Sequence, residues 1–174
     1  MVFLLEIISI SFLSIIIFQD FKQRQISWIL IPLLFILLSL ISVQETGGIK
    51  TSLQLFLVNC VFIFFQLICL TVYFSIKERK LNNIINTYIG IGDVLFFIVL
   101  AAAFSPLNFI IFYVFSLILT VVGVLLLKLF KPFSLKEIPL AGTMSLALII
   151  CFIYKYFHHN FNFYDDYWAV KLFL

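Results

Sequence analysis

Long apolar runs, each closed by charges, Gly, Pro or Asn, limit what this chain can fold into more than any other feature. They cover approximately Val2–Phe18, Ile26–Val43, Leu53–Ile76, Ile89–Phe104, Leu107–Leu127 and Pro139–Phe157. Runs of this length suit the hydrocarbon core of a bilayer, about 30 Å thick or about 20 helical residues. In lipid no water meets the backbone, so each run has to bond its own N–H and C=O groups, and a helix does this within one segment. The expected fold class is all-α: a polytopic membrane protein with six transmembrane helices. With 64% hydrophobic and 11% charged residues and a mean hydropathy of +1.24, the 174-residue chain has no room for a separate soluble domain. Residues 1–157 are expected to form the transmembrane domain and residues 158–174 an interfacial tail. The stretch "YKYFHHNFNFYDDYWAVKLFL" mixes aromatics with His158, His159, Asp165 and Asp166, and aromatic side chains gather at the membrane boundary. A surface anchor is the simpler role for it than a metal site built on the two histidines.

The fourth run is short. About 16 residues at 1.5 Å each reach about 24 Å, so either its helix begins earlier, around Ile84, or its start lies in a wet recess. The N-terminus lacks the basic leading region and small-residue cleavage site of a secretory signal and reads as a retained first span. Cys60, Cys69 and Cys151 lie inside apolar runs without a CxxC pair, as small buried hydrophobes.

Charge sets the orientation. Lys22 and Arg24 follow the first run, Lys77, Arg79 and Lys80 the third, and Lys128, Lys131 and Lys136 the fifth, which is eight of the eleven basic residues. The positive-inside rule puts those loops in the cytoplasm and both termini outside it. The first helix then runs toward the cytoplasm and the fourth away from it. Asp20, in "IIIFQDFKQRQISWILIP", and Asp93, in "YIGIGDVLFF", therefore share the cytoplasmic edge.

Two carboxylates within reach of each other do not both ionise easily and titrate as a pair. One can draw a proton from water attacking a peptide carbonyl while its protonated partner donates to the developing oxyanion. Gly90 and Gly92 beside Asp93 lack Cβ atoms and let a backbone approach the acid. At this composition G-x-G-D arises by chance in roughly one such sequence in two hundred. The simpler alternative is capping. An acid near a helix N-terminus is favoured by the macrodipole, which suits Asp93. Asp20, at the C-terminal end of its helix, meets the opposite pole and needs a partner, such as Lys22 or Arg24, or a function. Asn59 and Gln66, seven apart on one face, are expected to be hydrogen-bonding glue between helices, and Glu6 lies near the outer interface. Nothing else in the chain reads as a nucleophile, phosphate loop, cofactor site or metal cage.

These residues resemble those of the prepilin peptidase family, the GxGD membrane aspartyl proteases that include preflagellin peptidases. The resemblance rests on Asp20 with the basic turn "FKQRQIS", on Gly90, Gly92 and Asp93, and on "IPLAGTMSLAL" opening the last span. It implies that Asp20 and Asp93 are the catalytic pair, with Gly90 and Gly92 as flexible glycines, and that no metal or cofactor takes part. The implied partners are the lipid bilayer and a pilin-like precursor, with no nucleic acid. The implied reaction removes the precursor's short basic leader, just before its apolar helix, at the cytoplasmic face of a prokaryotic inner membrane. Leu95 stands where many members have Lys, and Ser27 and Trp28 where many have Pro-Asn. There is no room for the CxxC-bearing insert of methylating members, so a minimal peptidase is expected. The presenilin branch shares G-x-G-D, but its Tyr-Asp pair is not matched by Gln19 and Asp20. A different class also remains open, a non-enzymatic membrane subunit or small transporter that uses the paired aspartates for protons or basic segments.

Overall fold

The computed structural model describes residues 1–79, 89–130, 139–158 and 161–166, the last four residues of the fifth helix by backbone alone. Six helices follow one another: α1 (Val2–Gln23), α2 (Leu30–Thr46), α3 (Ile49–Glu78), α4 (Ile91–Ala101), α5 (Pro106–Phe130) and α6 (Leu140–Phe157). The fold is all-α. Helices α1, α3, α5 and α6 are long and apolar enough to cross a membrane, while α2 and α4 are shorter, at 17 and 11 residues.

The surface has the polarity of a protein dissolved in lipid. Among the residues of α3 buried inside the bundle are Ser52 and Asn59, whereas Leu57, Val61, Phe64, Phe65 and Ile68 point outward. Polar side chains facing neighbouring helices and large apolar ones facing out is the pattern expected where lipid replaces water. The centre is filled by Leu13 and Ile16 of α1, Leu34 and Leu38 of α2, Phe96 and Leu100 of α4, Phe109 of α5, and Met144 and Leu148 of α6, all without exposed surface.

Each helix extends close to its apolar run, but α1 continues through Asp20 to Gln23, so Asp20 lies inside the helix rather than beyond it. Helix α4 is shorter than its run. Eleven residues cover about 16 Å, roughly half a hydrocarbon core. The expected earlier start near Ile84 lies outside the described residues. At its other end, α4 stops at the depth of Asn59. The Asn59 amide donates to Ala101 O (2.9 Å) and Phe104 O (2.8 Å), satisfying carbonyls that a helix end leaves open. Asn59 is thus helix-to-helix glue, as its position suggested. Gln66, about two turns further along the same face of α3, bonds the Tyr113 hydroxyl of α5.

The space beyond the short α4 is occupied by residues 161–166. Phe163 is 2% exposed and packs on Phe104 and Phe152, and its carbonyl accepts from the Ser105 N–H and hydroxyl. Asp166 accepts from the Ser105 hydroxyl and from the Leu107 and Asn108 N–H groups, capping α5. This part of the tail is inserted among the helices. His158 stacks on Tyr154, while His159 and the last eight residues lie outside the described region. Cys60 and Cys151 are half-buried as expected, but Cys69 faces outward on α3, where an apolar thiol costs nothing against lipid.

At the same end Lys155 of α6 bridges Glu6 of α1 (2.7 Å) and Glu45 of α2 (2.9 Å) and lies over the Phe163 ring. Tyr164 hydrogen-bonds Ser42 beside this cluster, and burial pushes its phenol above the usual range. Ser52 donates to Ser42 (2.7 Å), joining α3 to α2.

Asn59→Ala removes both capping bonds and leaves two buried carbonyls open, at a cost of about 1–3 kcal/mol. The expected result is a lower Tm in detergent, measured against Cys69→Ala, which touches only the outer surface and leaves Tm unchanged.

Candidate active site

Asp20 is 6% exposed and faces α6. Its Oδ2 accepts the N–H of Gly142 at 2.6 Å. Gly142 is in the first turn of α6, where N–H groups have no partner within their own helix and the dipole is positive. Asp20 therefore caps α6 from another helix. The unfavourable position at the C-terminal end of α1 is offset by the favourable one at the start of α6. This capping donor was not foreseen, while of the two partners that the sequence suggested Arg24 acts on the carboxylate through its charge. Lys22 instead lies over the Phe18 ring, 5.0 Å from its centroid.

The contact requires glycine. A Cβ built on Gly142 would lie 2.9 Å from Asp20 Oδ2 and 3.0 Å from the Phe21 ring. The segment "IPLAGTMSLAL" was singled out by resemblance, but neither composition nor spacing pointed to Gly142 as the residue that touches Asp20. Close by, the Thr120 and Thr143 hydroxyls meet at 2.6 Å and join α5 to α6.

Asp93 is in the first turn of α4, with Gly90 as N-cap. Its N–H donates to Gly90 O (3.1 Å), and its Oδ2 lies 3.3 Å from where a Gly90 Cβ would stand, so the carboxylate folds back over the cap. Its charge also reaches Tyr113, whose ring meets Phe97, one turn beyond Asp93, edge to face at 5.2 Å. A Cβ on Gly92 would meet only Ile26 Cδ1, at 3.9 Å, an ordinary contact. Gly90 is therefore confined by Asp93, whereas Gly92 is sterically replaceable.

Ile26 follows α1, so its contact with Gly92 brings the end of α1 beside the start of α4, and Gly142 brings in the start of α6. Asp20 and Asp93 thus lie at one end of the bundle, opposite Lys155. Arg24 belongs to the same end. It closes α1 in the left-handed region (φ 55°, ψ 29°), its N–H donates to Asp20 O (3.1 Å), and its charge acts on the Asp20 carboxylate. Ser27 N–H donates to Gln19 Oε1 and shapes the turn into α2.

The arrangement is an all-helical membrane bundle with Asp20, Asp93, Gly90, Gly92, Gly142 and Arg24 gathered at one end. The chain matches no family model, no curated protein and no solved structure.

The two helical glycines are expected to respond in opposite ways. Gly142→Ala should displace Asp20 and lower Tm, because the Asp20 carboxylate and the Phe21 ring would both have to move. Gly92→Ala should leave Tm unchanged or raised, since Ala is favoured over Gly inside a helix by about 1 kcal/mol. Thermal unfolding of both variants in one detergent checks the contrast.

Proposed function

We propose that this protein is an aspartic endopeptidase of the prokaryotic cytoplasmic membrane that removes the basic leader from pilin-like precursors, with Asp20 and Asp93 as its acid and base. The observation that carries the reading is that a buried carboxylate on α1 and a second one beside Gly90 and Gly92 on α4 share one end of the bundle. The resemblance of "FKQRQIS", "GIGD" and "IPLAGTMSLAL" supports it.

In this reading all six helices lie in the bilayer and the acids face the cytoplasm. The Gly142 N–H fixes one oxygen of Asp20, so the other is left for water. Water held between the carboxylates loses a proton to one carboxylate as it attacks the scissile carbonyl while the other, protonated acid donates to the developing oxyanion; the proton taken from water then passes to the leaving amine as the C–N bond breaks, and the oxyanion's proton returns to its donor. No metal or cofactor enters these steps. The precursor's apolar helix packs against the bundle within the membrane, with its leader on the cytoplasmic side.

One observation favours a non-enzymatic reading. Asp20, Asp93 and Asp166 each lie at a helix N-terminus, of α6, α4 and α5 respectively, so capping accounts for three aspartates alike. A membrane subunit or small transporter could use the same carboxylates without turnover.

Cleavage of a precursor with a basic leader and an apolar helix, followed in detergent for wild type, Asp20→Asn, Asp93→Asn and the double variant, separates the two. Groups needed in one transition state give single losses nearly as large as the double loss. A single variant with near-normal turnover, or losses that multiply, favours the subunit.

Arg79 ends α3 on the surface at the end that holds Asp20. With Arg79→Cys in a background lacking the native cysteines, an impermeant maleimide added to intact cells should fail to label and should label after the membrane is opened. Labelling of intact cells would reverse the orientation.

A further inference from the structure

Two buried side-chain atoms, Arg24 Nη1 and Ser145 Oγ, have no hydrogen-bond partner among the described residues. Buried polar groups are nearly always partnered, so each needs an explanation. Both flank the same contact. Arg24 follows Asp20 by four residues and bonds its carbonyl, and Ser145 follows Gly142 by three, one turn along α6.

Arg24 also goes against its backbone. A residue closing a helix with positive φ is usually Gly, sometimes Asn, because an L side chain is disfavoured there. Arg79 closes α3 with the same angles, but its side chain is exposed. At Arg79 the conformation only ends a helix. At Arg24 it also carries a guanidinium with one buried nitrogen, Nη1, whose charge acts on Asp20.

We propose that Arg24 is a substrate-binding residue whose guanidinium donates to a backbone carbonyl of a peptide lying extended across the Asp20–Gly142 contact, with Ser145 as a second polar partner. This rests on the peptidase reading and deepens it. An anionic ligand would be opposed by two aspartates at the same end, and the cationic leader would be opposed by Arg24 itself. A neutral carbonyl meets neither repulsion and is the group that every peptide offers. The peptide thus supplies the acceptor that Arg24 Nη1 lacks among the described residues, and Arg24 holds the neutral segment beside the scissile bond rather than the leader.

The test uses substitutions that suit the backbone. Arg24→Gly keeps the left-handed cap without strain, so Tm should be unchanged or raised. KM for a precursor peptide of basic leader plus apolar helix should rise about tenfold or more, the scale of a lost charge-assisted hydrogen bond, with kcat changed less. Arg24→Asn, also tolerant of positive φ, should behave alike if the glycine variant fails to fold. Arg79→Gly relieves the same strain on α3 and should leave KM unchanged. Wild-type KM in both Arg24 variants overturns the proposal alone. A wild-type protein that cleaves no precursor overturns the peptidase reading and the proposal with it.

Discussion

The shortness of α4 is the constraint on which most of the remaining structure depends. A helix of 11 residues covers about half the depth its neighbours do, and in a medium without water neither its ends nor the space beyond them can be left open. One end is closed by Asn59, which reaches from α3 to the carbonyl of Ala101, the last residue of α4, and to that of Phe104 just beyond it. The space beyond is filled by Phe163 and Tyr164, and Asp166 caps the helix that follows. At the other end the N-cap Gly90 allows the Asp93 carboxylate to fold back. The tail and the acidic motif thus answer the same deficit from opposite ends.

Asp20 illustrates how one contact can satisfy groups on two helices at once. A carboxylate bonded to a first-turn N–H satisfies an orphan donor of α6 and is itself held in one orientation. Capping and acid–base roles therefore do not exclude each other at this position. What capping leaves unexplained is the company Asp20 keeps, an arginine in a left-handed cap and two buried polar atoms without hydrogen-bond partners among the described residues. The opposite end of the bundle holds the other polar cluster, Lys155 between Glu6 and Glu45, which ties α1, α2 and α6 where the tail inserts. With Asp20 at one end and Glu6 at the other, α1 is fixed to α6 at both.

Much of this was legible in advance because local chemistry decides it. The six apolar runs fall on the six helices, since a backbone in lipid has no alternative. Asn59 and Gln66 bond neighbouring helices, as polar residues on one face of an apolar helix tend to. The run from Ile89 to Phe104 was visibly short, although only the packing showed its consequence. Gly142 was not legible as the partner of Asp20, since the two are 122 residues apart and nothing local marks a glycine that another helix will touch. Nor was the insertion of Phe163 or the meeting of Glu6, Glu45 and Lys155. The tail's aromatics suit a membrane surface and a protein interior equally well, and only the gap above α4 distinguishes them. Cys69 faces outward because an apolar residue is as content against lipid as in the core.

The sequence alone determined that this chain is helical and membrane-bound and which segments form its helices, because hydropathy and backbone hydrogen bonding act within each segment. It also singled out Asp20 and Asp93, because a carboxylate beside an apolar run is costly wherever it occurs. Which groups offset that cost was decided only by tertiary structure. Lipid surrounds the helices with a nearly uniform solvent, so hydrophobicity does little to choose which faces meet. The choice falls to close approaches and polar contacts, the Gly142 N–H on Asp20 and the Asn59 amide on α4, and these depend on distances between helices that no single segment contains.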